Sequence, residues 1–177
     1  RITGITPSMR KRIIPPIKLK GKDNMEVANE CAHLITKYNP DAVCIDAGNG
    51  TGIIDRLREM KYKVHEVWFG GKSPEPEWAN LRTYMWAQMR DWLGGACIDD
   101  DQDLVDDLSG PEYKFLGTSD KMMLESKEQL KGRGFASPDD ADALACTFSI
   151  KVARKDKTAM RGTRRIMAND VDYNVFG

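Results

Sequence analysis

The chain has 177 residues, and its 27 basic and 27 acidic side chains give a formal net charge of zero. This balance excludes a uniformly basic nucleic-acid-binding domain but leaves room for a local basic patch. No apolar run reaches membrane-spanning length, and the opening RITGITPSMRKR lacks the apolar centre of a secretory signal, so we expect a soluble protein. Four cysteines without a CxxC pair and only two histidines offer no zinc-ligand spacing.

The first third of the chain predicts two strands, a helix and an α/β unit. RITGIT and RIIPPIKL predict strands, the second confined to a sheet edge by its two prolines. Asp23 and Glu26 resemble a capping box, and Asn39-Pro40 is expected to end the helix that follows. One stripe of that helix is predicted to comprise Ala28, Cys31, Leu34, Ile35 and Tyr38.

An α/β unit is predicted next. DAVCID reads as a buried strand, AGNGTG as a tight turn, IIDRLREM as a short helix and KVHEVWFG as a strand. The strand–helix–strand order predicts parallel pairing through a right-handed crossover. The glycines do not have the GxGxxG spacing, so we favour the tight turn over a dinucleotide-binding loop.

The rest of the chain predicts three helices, a hairpin and a tail. A long helix is expected from about Trp78 to Leu93, and the acidic IDDDQDLVDDL is predicted to be a solvated helix start. YKFL and KMMLE predict a β-hairpin. SPDDADALACTFSIKVA predicts a largely buried helix, with Ser137 as N-cap and Pro138 in the first position. The domain is expected to cover residues 1–153, followed by a basic, flexible tail at residues 154–177.

Three carboxylates are candidates for chemistry. Asp46 ends the predicted buried strand, at the sheet edge where ligands gather in open α/β folds. It could equally accept backbone N–H groups from the glycine turn. Asp139 and Asp142 are three residues apart and therefore lie on one face of the helix start, although first-turn acids also stabilise a helix without any further role.

Carboxylates without histidine or cysteine partners favour hard cations such as Mg²⁺ or Mn²⁺. Two such ions can activate water and stabilise the leaving oxygen of a phosphodiester. Convergence of Asp46 with Asp139 and Asp142 would therefore form a metal-dependent nuclease centre.

Four segments in this order resemble the nuclease domain of tailed-phage terminase large subunits over about residues 23 to 150. They are DAVCIDAGNGTGIIDRL, V-W-F-G, LRTYMWAQMRDWL and LESKEQLKGRGFASPDDADALACTFS. The resemblance implies an α/β fold of RNase H type, a mixed sheet flanked by helices, here with an added hairpin. It also implies metal-dependent endonuclease activity that cuts concatemeric double-stranded viral DNA during genome packaging. The last acid of the family's site falls at Asp139 or Asp142, of which we favour Asp139.

The resemblance also implies partners and one departure. The partners are double-stranded DNA, an upstream ATPase domain of the same polypeptide, the portal protein and the small terminase subunit, acting in the host cytoplasm with no membrane. In the family a strand before RITGIT supplies the first catalytic Asp. The given sequence starts after that strand, so weak or absent cleavage by this chain alone is expected.

Basic residues beside the acidic helix are candidates for DNA binding. Lys127, Lys131 and Arg133 could hold phosphates near the metals, or could belong to an exposed charged helix. The tail cations, from Arg154 to Arg165, could bind DNA or dock a partner. Two alternatives to the endonuclease stay open: a DNA-clamping or portal-docking module without catalysis, and another RNase H-like nuclease such as a junction resolvase.

Overall fold

A computed structural model describes residues 2–6, 12–98, 100–117 and 119–152. The predicted domain boundary at residues 153–154 and the basic tail lie outside the described residues. No helix within the described ranges is long and apolar enough to cross a membrane.

The described strands form three two-stranded sheets. Strands β1 (Ile2–Thr6) and β2 (Arg12–Ile17) are antiparallel, as are β5 (Tyr113–Phe115) and β6 (Met122–Leu124), which confirms the predicted hairpin. Strands β3 (Cys44–Asp46) and β4 (His65–Val67) are parallel, with Asp46 opposite Val67. The parallel pair confirms the predicted α/β unit.

Helix α1 (Asn24–Tyr38) begins at the predicted capping box. The Asp23 carboxylate accepts a hydrogen bond from the Glu26 N–H at 2.8 Å, and the Glu26 carboxylate accepts one from the Asp23 N–H at 3.0 Å. The helix buries Ala28 and Ala32 against α2, whereas Tyr38 is 49% exposed. Tyr38, the last residue of the predicted stripe, therefore lies outside the packed face of the helix.

Helix α2 (Ala47–Glu59) starts directly after β3 and includes the glycines that were predicted to form a turn. That prediction is wrong because the Asp46 side chain caps the helix at once, accepting from the Gly48 N–H at 3.0 Å. A Cβ on Gly52 would lie 2.8 Å from the Asn24 amide nitrogen, so glycine allows α1 and α2 to approach closely. The glycine-rich segment is therefore the first part of a helix and not a tight turn.

Helix α3 (Leu81–Leu93) is the centre of the larger apolar core. It starts three residues later than predicted, because the Asn80 side chain accepts from the Thr83 N–H at 2.9 Å and caps the helix there. Before it, Ala79 and Glu77 exchange backbone hydrogen bonds with Met122, at 2.9 and 2.8 Å. Residues 82–87 are all buried, so α3 packs on most of its circumference.

Three short helices complete the described fold. They are α4 (Gln102–Ser109), α5 (Lys127–Gly132) and α6 (Asp139–Cys146). Helix α6 packs against α3, α4, β1 and β3. It ends at Cys146, whereas the predicted helix continued through SIKVA.

Candidate active site

The start of α6 differs from the predicted capping arrangement. Pro138 occupies the N-cap position and offers no side-chain acceptor, and Asp139 is the first helical residue. Ser137, predicted as the N-cap, instead donates its hydroxyl to Asp139 Oδ1 at 2.8 Å. The N–H groups of the first turn therefore need an acceptor from elsewhere in the fold.

Asp107 on α4 supplies that acceptor. Its Oδ2 accepts from the Asp140 N–H at 2.8 Å and from the Ala141 N–H at 3.5 Å. Burial raises the pKa of Asp107, the two N–H bonds lower it, and the charges of Asp140 and Asp139 raise it again, so that the net shift is upward. The acidic segment was predicted to be solvated, and this is wrong for Asp107, which is half-buried against the start of α6.

We predict that Asp107→Ala lowers the free energy of unfolding by about 1 kcal/mol, the usual cost of a lost helix cap. Asp107→Asn keeps the acceptor without a buried charge and should be at least as stable as the wild type at pH 7. The pKa of Asp107 in the folded protein lies above its ordinary value of 3.8. At pH values between 3.8 and that raised pKa, Asp107 therefore binds more protons in the folded state than in the unfolded state. Wild-type stability therefore falls as pH rises through that window, and the Asn variant lacks this fall. Urea unfolding of the three proteins from pH 3 to 7 measures their free energies of unfolding. The same pH dependence in the wild type and in Asp107→Asn would contradict the prediction.

Asp140 points away from Asp139, towards the N-terminal part of the chain. Its carboxylate is buried and lies 3.0 Å from Lys18 Nζ, and the same ammonium also donates to Asp103. Hydrogen bonds to Asp103 and Asp140 raise the pKa of Lys18, so the ammonium stays charged. Of the three first-turn acids of α6, Asp140 is the one tied to this separate ion pair.

Asp139 and Asp142 meet at the Lys127 ammonium. Lys127 Nζ lies 3.4 Å from Asp139 Oδ1 and 3.0 Å from Asp142 Oδ2. Burial disfavours the charged lysine, but Asp142 and Asp139 outweigh it and raise the pKa of Lys127 overall. The side chain of Asp139 is 51% exposed and that of Asp142 only 5%. The structure thus brings two of the predicted carboxylates together around one cation.

Two residues missed by sequence reasoning hold Asp142. Asp142 Oδ1 accepts from Arg82 Nε at 3.0 Å and from Trp86 Nε1 at 2.8 Å, both on α3. Trp86 is a buried residue of the larger core as well as a donor to Asp142. The sequence does contain a signal for this contact: Arg82 lies among the apolar residues of a long helix, four residues before Trp86. A buried charge requires a partner, so an arginine in that position indicates an acidic residue nearby.

Asp46 lies on the neighbouring element, at the carboxyl end of β3. Its half-buried side chain caps α2, as the second interpretation of this residue predicted. Burial raises the pKa of the Cys146 thiol, and the negative charges of Asp46 and Asp142 raise it further. Even so, no three His, Cys, Asp or Glu side chains within the described ranges form a group that could hold a metal ion.

The basic candidates differ in their contacts. Arg133 donates to Glu125 at 2.9 and 2.7 Å, to Glu112 at 2.7 Å and to the Gly110 carbonyl at 2.6 Å. The bonds from Arg133 lower the pKa of Glu125. Because Glu112 precedes β5 and Glu125 follows β6, Arg133 also ties the end of α5 to the hairpin. Lys131 is exposed on α5. Their DNA-binding roles stay predictions, with Lys127 the one in contact with the candidate acids.

The α/β fold, of RNase H type, is similar to that of a solved terminase nuclease domain. The chain is similar to the nuclease domain of the large terminase subunit gp2 of bacterial virus Sf6, with a TM-score of 0.65, 20% identity, and 80% of this chain and 79% of that one covered. A lysine-to-alanine mutant of that domain with manganese gives a TM-score of 0.63 at 21% identity, over 79% of this chain and 78% of that one. A calcium-containing structure of such a mutant gives 0.61 at 21% identity, over 79% and 77%.

Comparisons at the level of sequence found no relative. No protein-family model matches the chain, and no curated protein matches it at a significant level. At about 20% identity the structural likeness establishes the fold, which confirms the predicted fold class and the resemblance on which it rested.

Proposed function

We propose that the chain is a metal-dependent endonuclease that cuts double-stranded concatemeric viral DNA during genome packaging. The observation that carries the proposal is the pair of carboxylates at the start of α6, gathered around one cation, in a fold shared with a terminase nuclease domain. The related structures with manganese and calcium add support for divalent ions.

The donor chemistry fits a hard divalent cation. Every candidate ligand atom is a carboxylate oxygen, the type that Mg²⁺ and Mn²⁺ take. Asp142 Oδ2 is buried, and within the described ranges it faces the Lys127 ammonium at 3.0 Å. We propose that Asp139 and Asp142, together with Asp46 from β3, hold one or two Mg²⁺ or Mn²⁺ ions.

When bound, such ions lower the pKa of water and stabilise the leaving oxygen of a phosphodiester. The chain's own residues hold the candidate ligands in position. Asp142 presents one oxygen from a buried position, and Asp46 is held at the sheet edge by its bond to the Gly48 N–H. Lys127 keeps its charge beside the two acids and can donate to a DNA phosphate, as Lys131 and Arg133 are also proposed to do.

The proposed setting follows from the same likeness. It comprises double-stranded DNA, an ATPase motor domain, the portal protein and the small terminase subunit in the host cytoplasm. A second candidate is a DNA-clamping or portal-docking module without catalysis. Two observations favour it: Lys127 contacts both Asp139 and Asp142, and Asp46 does not complete a three-ligand group within the described residues.

The experiment that tests the function combines cleavage with metal binding. Supercoiled plasmid is incubated with the chain and Mn²⁺, Mg²⁺ or EDTA, and Mn²⁺ binding is measured by calorimetry, which does not require a complete catalytic centre. Mn²⁺ binding is expected, together with metal-dependent nicking that is weak for this chain alone. Plasmid binding that weakens with salt, without cleavage and without Mn²⁺ binding, would favour the clamping module.

We predict that Lys127→Ala raises the affinity for Mn²⁺ about tenfold, because the ammonium competes with a metal ion for the oxygens of Asp139 and Asp142. Lys131→Ala, on the same helix and exposed, is the matched control and should leave Mn²⁺ affinity unchanged. Calorimetric titration of the three proteins is the measurement. A weaker affinity in Lys127→Ala would show that the lysine supports the metal rather than competing with it.

A further inference from the structure

The Asp142 side chain is the most firmly held of the candidate ligands. It is 5% exposed, in the contact between α6 and α3, and its neighbours Arg82 and Trp86 are 9% and 4% exposed. A carboxylate is stable in such a place only when charge and hydrogen bonds compensate it.

Both donors to Asp142 come from one face of α3. Arg82 and Trp86 are four residues apart and therefore neighbours on the helix surface. The guanidinium lies over the indole ring, with Arg82 Cζ 5.6 Å from the ring centroid, and its Nη1 donates to the Glu125 carbonyl at 2.8 Å. Arg82 is thus fixed at two other points besides Asp142.

The two donors reach the same oxygen. Arg82 Nε and Trp86 Nε1 both donate to Oδ1, at 3.0 and 2.8 Å. Together they occupy that oxygen and set the plane of the carboxylate, so Oδ2 is the oxygen turned towards Lys127. Rotation of the carboxylate by half a turn would only exchange the two equivalent oxygens.

We propose that Arg82 and Trp86 are positioning residues that make Asp142 a one-oxygen ligand, offering Oδ2 to a divalent cation in the space now facing the Lys127 ammonium. This inference rests on the proposed function. Groups that orient a ligand from behind typically change metal affinity 10- to 100-fold when removed.

Trp86→Phe tests the proposal, since it removes the indole N–H and keeps an aromatic ring. Mn²⁺ affinity, measured by calorimetry on the full chain, should fall about 10-fold or more. Trp92→Phe is the matched control, because Trp92 lies on the same helix and packs edge-on against Phe148, 5.7 Å between ring centroids. Its affinity should equal that of the wild type. Melting curves without Mn²⁺ confirm that each variant is folded.

The outcomes separate this inference from the function on which it rests. Wild-type Mn²⁺ binding that persists within twofold in Trp86→Phe would overturn the positioning role and leave the metal site intact. Absence of Mn²⁺ binding by the wild type would overturn both. If Trp86→Phe does not fold, Arg82→Lys, which keeps the charge but loses the Nε hydrogen bond, is measured in the same way.

Discussion

Asp142→Ala is expected to lower the free energy of unfolding by about 3 kcal/mol, the lower end of the cost of removing one partner from a buried ion pair. The substitution leaves the buried Arg82 guanidinium without its carboxylate and leaves Lys127 facing another positive charge. The indole N–H of Trp86 loses its acceptor as well. Chemical denaturation at pH 7 without metal measures the effect, so it is independent of any activity.

Asp139→Ala is the matched control because Asp139 lies in the same helix turn as Asp142 and contacts the same lysine, Lys127. Its side chain is half-exposed and its contact with Lys127 is longer, so we expect a change below about 1 kcal/mol. An equal loss of free energy of unfolding in the two variants would show that the burial of Asp142 does not make its ion pairs more important for stability than those of Asp139.

Asp46→Asn is expected to lower the weak Mn²⁺-dependent plasmid cleavage to the level seen with EDTA, because the cation that this carboxylate is proposed to hold supplies several kcal/mol of transition-state stabilisation. Asparagine caps helices as well as aspartate, so the bond from the Gly48 N–H and the stability of α2 should be kept. Initial nicking rates and a melting curve for each protein are the measurements.

Asp55→Asn is the control for this second experiment. Asp55 is an exposed acid on the same helix as the Asp46 cap, away from its N-terminus, and its substitution makes the same change of charge. Nicking should continue at the wild-type rate. Cleavage by Asp46→Asn at the wild-type rate would show that Asp46 caps α2 and does not hold a catalytic cation.

Several elements could be predicted because their causes are local. The capping box of α1 depends on Asp23 and Glu26, three residues apart, and needs no other part of the chain. The parallel pairing of β3 and β4 followed from the strand–helix–strand order, since such a connection joins parallel strands. The hairpin of β5 and β6 likewise depends on adjacent segments.

The predictions of local structure were wrong where a contact with another part of the chain overrode the preference of a short segment. The glycines after Asp46 favour a turn by themselves, but the capped helix and the close packing of α1 on α2 accommodate them within α2. Ser137 is a good N-cap residue, yet Asp107, thirty-three residues from Asp140 in the sequence, takes that role.

The sequence by itself determined the α/β order, the hairpin and the three candidate carboxylates, because composition, periodicity and spacing are properties of short segments. Only the tertiary structure decided which acids share a cation and which are tied elsewhere. Asp140, between Asp139 and Asp142, pairs with Lys18, whereas its neighbours meet Lys127. Arg82 and Trp86 reach Asp142 from positions 60 and 56 residues away. Contacts over such separations depend on how helices pack, and no local pattern in the chain encodes them.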